Sequence, residues 1–266
     1  MKTLQQLPGV AVGTEGMTGL YVRGGGADEN LYLLDGNPVY HVNHLLGFFS
    51  AFNPDAIKNT RFYKGSFPAE YGGRLSSVVD VRMNDGNRQE YHGNISVGLL
   101  SARANLEGPI VKDRSSFNVS VRRTWLDLIT GTALAIINKN SDTKESFGYH
   151  FFDINAKVNH SFSERSRAYL SFYMGQDAFR QGSKEKHEDS DDMFLWRWGN
   201  LIGSAGWNYV FGQKLFGNLM VGYSRFRSHI RQEAKGYEIE GNREERQSIK
   251  RDSRYKSEME ELSVRL

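Results

Sequence analysis

The segment SFNVSVRR, residues 116–123, carries the pattern that decides the fold. Its odd-numbered positions up to 121 are apolar and its even-numbered positions are polar. Successive side chains of a β-strand point to opposite faces, so this spacing predicts a strand with one apolar and one polar face. The same alternation recurs in seven further segments: residues 91–99, 102–107, 152–160, 167–175, 200–211, 217–225 and 262–266. Together they predict about eight antiparallel strands.

The connections between these strands distinguish a membrane barrel from a soluble β-sandwich, which has the same strand pattern. Short joints alternate with long, charged ones, so all long loops lie at one end of the sheet. This asymmetry is typical of outer-membrane barrels, which have short periplasmic turns and long external loops. The short joints are 109–114, 163–166 and 212–214, and the long ones lie near 125–149, 178–194 and 232–252. We expect a short helix at residues 125–137 within the first long loop.

Residues 1–87 follow a different pattern, in which short strands and tight turns are mixed. Asp35-Gly36 is a turn dipeptide between two apolar runs. Asn53-Pro54 predicts a helix start, with Asn as the N-cap and Pro at the first helical position. We therefore predict a compact α+β unit over residues 1–87 and a β-barrel portion over residues 88–266, with the boundary near residues 84–90.

Composition and motifs exclude several classes of function. The formal charge is only +3 and the charges are interspersed, which does not fit a nucleic-acid-binding surface. The chain has no cysteine, so it can form neither a disulfide framework nor a thiolate metal site. No run of about 18 apolar residues predicts a transmembrane helix. The glycine-rich GGGADEN lacks the Lys and Ser/Thr of a phosphate-binding loop, and no GxSxG or HExxH occurs. No catalytic residue, cofactor or metal is predicted.

Residues 20–40 and 47–86 closely resemble the plug domain of TonB-dependent receptors, in the form found in Bacteroidetes. Five elements occur in the family's order and spacing and cover about residues 4–84. They are VRGG (22–25), LLDGNPVY (33–40), NPDAI (53–57), KGSFPAEYGGR (64–74) and SSVVDVR (76–82). The stretch ANLEGPIVKDRSSFNVSVRRTWLDL, residues 104–128, resembles the family's first barrel hairpins.

This resemblance implies a 22-stranded barrel in the outer membrane of a Gram-negative bacterium, closed by an internal plug. The family takes up scarce nutrients such as glycans, metal chelates, cobalamin or peptides, using energy relayed by TonB. Expected partners are outer-membrane lipid, TonB through an upstream TonB box, and a surface substrate-binding lipoprotein, with no nucleic acid. A non-transporting outer-membrane receptor or adhesin-like binding protein is the alternative function.

The resemblance also implies that the sequence covers only part of such a receptor. No signal peptide precedes residue 4, so we expect an N-terminally truncated plug domain over 1–87. The last strand is still alternating at Leu266, so we expect a C-terminally truncated barrel portion over 88–266. Eight strands of a large barrel should form an open, curved sheet with the plug on its concave, polar face. Strands near 90–99 and 254–266 should not pair with each other.

Two cations are candidates for a plug–barrel latch, meaning ion pairs that hold the plug inside the barrel. Arg23 and Lys64 occupy plug positions where the family often places cations that pair with barrel carboxylates. A buried charge without a partner is costly, so such pairs hold the plug in place.

The sequence YHVNHLLGFF, residues 40–49, is the candidate ligand-facing loop. We expect Tyr40, His41, Asn43, His44 and Phe48 to contact substrate. Two histidines three residues apart could ligate a metal, but no third ligand lies nearby in the sequence, so no metal site is predicted.

The apolar positions of the alternating strands should contact lipid. Val119→Arg in the full-length protein should therefore reduce the amount of folded barrel in membranes, whereas Ser120→Arg, on the opposite face, should be better tolerated. The expected lipid contacts are Phe117, Val119, Val121, Leu170, Phe172, Trp207 and Tyr209.

Overall fold

The structure is a computed structural model that describes residues 2–13, 19–185, 190–239 and 246–266. Its N-terminal part is a small α+β unit built around a four-stranded sheet. The elements are α1 (Lys2–Gln5), β1 (Val10–Ala11), β2 (Tyr21–Val22), β3 (Asn30–Leu34), β4 (Asn37–Pro38), β5 (Asn43–His44), β6 (Phe49–Ser50), β7 (Ile57–Tyr63) and β8 (Ser77–Met83). The strand order of the sheet is β4-β3-β8-β7, in which β3 and β8 are parallel and the other two pairs are antiparallel.

The turn residues and the cap residue predicted from the sequence have these roles in the structure. Asp35 and Gly36 both have positive φ, 45° and 82°, and form the tight turn that joins β3 to β4. The backbone N–H of Asp55 donates to Asn53 Oδ1 at 3.3 Å, so Asn53 caps the next turn as predicted. That turn is a 3-10 helix, Pro54–Ala56, because the chain enters β7 at once.

The core of this unit lies on both faces of its central strands. Val78, Val79 and Val81 of β8 and Leu33 of β3 are each at most 1% exposed. Val78 and Val79 are consecutive, so β8 has buried valines on both of its faces, as a strand covered on both sides requires. The α+β unit therefore has an apolar core of its own between its central strands and the segments that cover them.

The rest of the chain forms one eight-stranded antiparallel sheet in chain order. Its strands are β9 (His92–Val97), β10 (Ser101–Val111), β11 (Ser115–Thr124), β12 (Thr143–Ser163), β13 (Ser166–Glu185), β14 (Asp191–Val210), β15 (Phe216–Ile239) and β16 (Arg246–Arg265). Strands β9 and β16 are the two edges, and their described residues do not pair with each other. The predicted open sheet of about eight strands is confirmed.

The strands are longer than the sequence predicted. Strands β12 to β16 each have 20 to 24 residues, so most of the predicted loops 178–194 and 232–252 are paired strand. Those loop predictions are wrong because charged residues on strand extensions, whose two faces both meet water, look like loop sequence. The predicted loop helix is confirmed as α2 (Leu126–Ile137).

The sheet wraps around the α+β unit, which contacts seven consecutive strands. The pairs, given from β10 to β16, are Arg103–Asp55, Ser120–Asn53, Asp153–His44, Asp177–His44, Asn200–Tyr40, Ser224–Pro38 and Ser263–Asn37. The unit therefore fills the concave face of the sheet as a plug.

The two faces of the sheet differ as the alternation predicted. On β11, Ser116, Asn118 and Ser120 are fully buried against the plug, whereas Val119 and Val121 are 39% and 43% exposed on the convex face. The expected tolerance of Ser120→Arg is wrong, because Ser120 is in the plug–sheet interface and accepts a hydrogen bond from Asn53 Nδ2 at 2.7 Å.

The plug and the sheet are joined by the segment between Met83, the end of β8, and His92, the start of β9. Residues 84–91, all described by the structure, contain no strand, and the boundary predicted after residue 87 falls among them. In the described part of the chain, no helix has the length and apolar character needed to span a membrane.

Candidate functional site

The plug–sheet interface contains many polar contacts, beside apolar ones in which Tyr173 and Ile202 of the sheet join the plug core. Asn53 Nδ2 donates to Ser120 Oγ at 2.7 Å, and Asn200 Nδ2 donates to the carbonyl of His41 at 2.8 Å. The hydroxyl of Ser204 donates to the carbonyl of Asp35 at 3.3 Å. Short side chains from the sheet thus satisfy plug backbone groups that burial would leave unpaired.

His44 is the centre of the most deeply buried part of this interface. It lies on β5, is 3% exposed, and stacks on Phe151 with ring centroids 4.2 Å apart. Its Nε2 lies 2.8 Å from Asp153 Oδ1, and its Nδ1 lies 2.6 Å from Asp177 Oδ2. Both carboxylates are acceptors, so both ring nitrogens donate only when the imidazole is protonated.

The two carboxylates around His44 have further donors. Arg122 Nε donates to Asp153 Oδ2 at 2.7 Å, and Arg122 also donates to the plug carbonyl of Ser50 at 2.7 Å. The Tyr149 hydroxyl donates to Asp177 and accepts from a plug backbone N–H. This group of side chains is therefore held by the plug on one side and the sheet on the other.

The position of His44 changes its proton affinity. Burial lowers the pKa of His44, but the charges of Asp153 and Asp177 and the hydrogen bonds to both outweigh burial and raise this pKa to about 9. The imidazole is therefore cationic at neutral pH. It acts as the positive partner in a buried triad with two sheet carboxylates.

A second buried contact with the plug is made by the same strand that carries Asp153. Lys157, on β12 and nearly fully buried, has its Nζ 3.3 Å from Asp35 Oδ1 and 3.1 Å from Asp85 Oδ1, and it donates to the Met83 carbonyl at 3.1 Å. Burial raises the pKa of Asp85, but the charges and hydrogen bonds of Lys157 and Lys58 lower it by more. The pKa of this carboxyl is therefore below its usual value. The segment after β8 is thus tied to the sheet by charge.

The predicted latch cations have other environments. Lys64 Nζ donates to the Pro8 carbonyl at 2.9 Å, and Arg23 is exposed. Within residues 2–13, 19–185, 190–239 and 246–266, neither cation has a carboxylate within 4.0 Å. The latch formed by these two residues stays a prediction, and the cations observed between plug and sheet are His44, Arg103, Arg122 and Lys157.

The candidate ligand-facing loop lies at the end of the plug nearest the strand extensions. Phe48 is 51% exposed there, and the Tyr40 hydroxyl donates to Glu261 Oε2 at 2.9 Å. The His41 ring lies 5.9 Å from that of Trp198, and burial lowers the pKa of His41. Asn43 is half-buried on β5.

His44 was predicted to contact substrate, but both its ring nitrogens already bind carboxylates inside the interface. It therefore has no free ring nitrogen to offer to a substrate. Its partners lie more than 100 residues away in sequence, so the local pattern could not reveal them.

An aromatic wall lies on the concave face, above the plug, and was not among the features predicted from the sequence. Its rings come from β12, β13, β14 and β15, and they pack with Leu45 and Phe49 of the plug. The signal that could have revealed it is the run of aromatics at every second position near the loop end of β12 and β14. The members of the wall are Tyr149, Phe151, Phe179, Trp196, Trp198 and Phe226.

The arrangement offers contacts for a ligand. Aromatic faces and amide or carboxylate side chains can bind a ligand by stacking and hydrogen bonding. Among the residues that the structure describes, no group of three or more His, Asp or Glu side chains is placed to hold a metal ion.

The N-terminal part of the chain matches a known family model. Residues 1–79 match the family model described as the TonB-dependent Receptor Plug Domain. No match to a curated protein was found by sequence. Similar solved structures include the siderophore receptor PirA from Acinetobacter baumannii, at 15% identity and TM-score 0.46, with 99% of this chain and 51% of that chain covered. The outer membrane transporter YddB from Escherichia coli has 10% identity and TM-score 0.48, with 98% and 50% covered.

A plug domain enclosed by an antiparallel sheet with an apolar outer face defines an outer-membrane receptor. The plug-domain match covers residues 1–79, so this part of the chain is a plug domain of the TonB-dependent receptors. These are transporters of the outer membrane of Gram-negative bacteria and not enzymes. The chain spans about half the length of the solved structures it resembles.

Proposed function

We propose that the complete receptor imports a scarce nutrient actively, with TonB supplying the energy that displaces the plug. The observation that carries this proposal is the polar plug–sheet interface, centred on the buried pairs of His44 and Lys157. TonB would act through a segment upstream of the plug. Outer-membrane lipid surrounds the sheet, and a surface lipoprotein that presents substrate is a further proposed partner.

A polar interface suits a plug that must separate from its barrel. Removing apolar surface from its partner costs about 25 cal/mol for each Å² re-exposed. Buried ion pairs, in contrast, nearly balance their Coulomb attraction against lost hydration, and water can replace them when the bodies part. The plug keeps its own apolar core on β3 and β8, so it could move without losing its fold.

We further propose that Tyr40, His41, Asn43 and Phe48, together with the aromatic wall, contact the substrate. Phe48 and Trp196 are only partly buried, and aromatic rings of this kind bind sugar faces, chelate ligands or apolar peptide side chains. Glycan, metal chelate, cobalamin and peptide remain the proposed substrate classes.

The proposal includes a plug domain over residues 1–87 and a barrel portion over residues 88–266. It also includes a latch in which Arg23 and Lys64 pair with carboxylates elsewhere in the barrel.

Thiol labelling of the plug in living cells tests import directly. Asn53 is 1% exposed and faces Ser120, so Asn53→Cys in the full-length receptor should react only when the plug separates from the sheet. In cells grown in rich medium, labelling should require TonB and should fall to background with a protonophore. A cysteine at Ser163, which is exposed at the end of β12, should react equally under all conditions.

The same experiment separates the two candidate functions. A non-transporting receptor or adhesin would leave Asn53→Cys unreactive with or without TonB. Labelling that is equally fast without TonB would mean that the plug opens spontaneously, and would contradict energised import.

A further inference from the structure

A cleft of about 410 Å³ opens on the concave face of the sheet, above the aromatic wall and toward the loop end of strands β12 to β15. Phe194 lines this cleft and lies two residues from Trp196 on β14, so both rings are on the same face. The Phe194 ring is 6.0 Å from that of Phe179, another member of the wall. The cleft is therefore an outward continuation of the aromatic wall, at the external side of the sheet.

The side chains around Phe194 are polar. Residues directly opposite each other on paired strands share a face, so the partners of Phe194 also lie on the concave side. Two amides and two carboxylates among them are exposed, and Ser183 Oγ donates to Glu145 Oε1 at 3.2 Å. The side chains form two rows across the strands, with Gln181, Phe194 and Gln232 in the lower row and Glu145, Ser183 and Asp192 in the upper row.

The charge of the cleft is unfavourable for an anionic ligand. Of the described residues that line it, none is Lys, Arg or His. Across the described part of the chain, neither Glu145 nor Asp192 has a basic side chain within 4.0 Å. Carboxylates without a cation repel a negative charge, so the cleft does not suit an anionic chelate, a phosphate or an acidic peptide.

The two carboxylates are also not placed to converge on one cation. Glu145 lies on β12 and Asp192 on β14, with β13 between them, so their backbones are roughly 10 Å apart at about 4.8 Å for each strand. The hydroxyl of Ser183 lies between them, and the two amides follow in the lower row. Amides and hydroxyls both donate and accept hydrogen bonds. Such groups spread beside an aromatic ring match a ligand with many hydroxyl groups and apolar ring faces.

We infer that this cleft is an outer subsite for an uncharged oligosaccharide, which it binds before the ligand reaches the aromatic wall. The inference rests on the proposed import function and narrows its four substrate classes to glycan. Phe194 stacks on the face of one sugar ring, and Gln181 and Gln232 bind hydroxyl groups on either side of that ring. Asp192 and Glu145 accept hydrogen bonds from hydroxyl groups further along the ligand.

Oligosaccharide binding to the full-length receptor in mild detergent tests this subsite. The probes are printed, uncharged fragments of glucan, mannan, xylan and galactan, compared with an oligosaccharide that carries sialic acid and with a lysine-rich peptide. At least one uncharged oligosaccharide should bind, and titration calorimetry then measures its affinity. This affinity should be the same at about 50 mM and about 500 mM NaCl, because salt screens ion pairs and leaves contacts with a neutral ligand unchanged.

Variants locate the binding in the cleft. Gln181→Ala with Gln232→Ala should weaken binding of that oligosaccharide about tenfold, since the hydrogen bonds of two side chains are lost. Phe194→Ala should weaken it about tenfold as well, because the stacking ring is lost. Leu195→Ala is the matched control, since Leu195 follows Phe194 on β14 and lies on the opposite face, and it should bind like the wild type. Migration of the unheated receptor in a denaturing gel checks that each barrel is folded.

Several results would overturn the subsite. These are binding of none of the uncharged oligosaccharides, tighter binding of the sialylated probe or the lysine-rich peptide, or an equal loss in the Leu195→Ala control. If the double variant does not fold, unchanged binding by Phe194→Ala would overturn the subsite in its place.

This test is independent of import, because binding is measured without TonB. Oligosaccharide binding without TonB-dependent labelling of Asn53→Cys would contradict import and support the subsite. Labelling without oligosaccharide binding would contradict the subsite alone.

Discussion

At the scale of single residues, His44 links the plug to two strands of the sheet. It is the positive group between Asp153 and Asp177, and its ring also packs on Phe151. Removing one member of such a group leaves the others buried without compensation, which costs far more than the whole group contributes. His44 is therefore the residue at which plug attachment is most sensitive to substitution.

His44→Ala should weaken attachment of the plug by about 3 kcal/mol, because it leaves Asp153 and Asp177 buried with one donor fewer each. Urea-dependent protease cleavage of the plug in the full-length receptor measures this loss. His41→Ala is the matched control: its neutral ring packs against Trp198 and Phe226, and no described residue forms an ion pair with it, so the loss should be smaller. Equal effects of the two substitutions would contradict the role of the buried charge.

The raised pKa of His44 predicts how attachment depends on pH. The unfolded pKa is about 6.5 and the folded pKa is about 9, so the stabilisation is complete below about pH 6.5 and is lost as pH rises through 9. Protease cleavage of the plug should increase across this window, and His44→Gln should remove the increase. A flat profile in the wild type would contradict it. The groups that face His44 are Asp153, Asp177, Arg122, Tyr149, Tyr173 and His41.

At the scale of elements, each strand of the sheet has two faces with different surroundings. Residues of β11 alternate between full burial against the plug and exposure on the convex face. This local period of two was readable from SFNVSVRR alone. The plug residues that pack against the polar face could not be predicted in this way, because Asn53 and Ser120 are 67 residues apart in sequence.

The ends of the strands were harder to predict for a physical reason. Above the apolar band both faces of a strand meet water, so the alternation of apolar and polar residues disappears. On β13 and β14 the paired strand continues to Lys184 and Asp191 through charged sequence that was interpreted as loop. The length of these strands is set by backbone hydrogen bonding, and it cannot be predicted from the amino-acid composition of the segment.

The alternation predicts a clear asymmetry between the two faces of the sheet. Val119→Arg in the full-length receptor should reduce the folded barrel recovered from membranes, since arginine on a lipid face costs roughly 2–4 kcal/mol at the midplane. Asn94→Arg, at an exposed position on the concave side of β9, is the control and should insert normally. Equal recovery of both variants would contradict the assignment of the convex face to lipid.

At the scale of the whole molecule, the sheet encloses the plug and holds it through polar side chains from seven strands. Motif order in residues 4–84 was sufficient to predict the plug, and alternation was sufficient to predict the open sheet. The contacts between the two were not predictable, because they join residues from opposite parts of the chain. Arg23 and Lys64 were inferred from family position, whereas the observed ion pairs depend on strand register.

The most direct test of the plug's place inside the sheet is a crosslink between the plug and one face of β11 in the full-length receptor. Asn53→Cys with Ser120→Cys should join efficiently with a short thiol-to-thiol crosslinker, since these side chains form a hydrogen bond of 2.7 Å. Asn53→Cys with Val119→Cys should not join, because a shift of one residue moves the thiol to the opposite face. Crosslinking through position 119 and not through position 120 would place the plug outside the sheet and contradict the central claim.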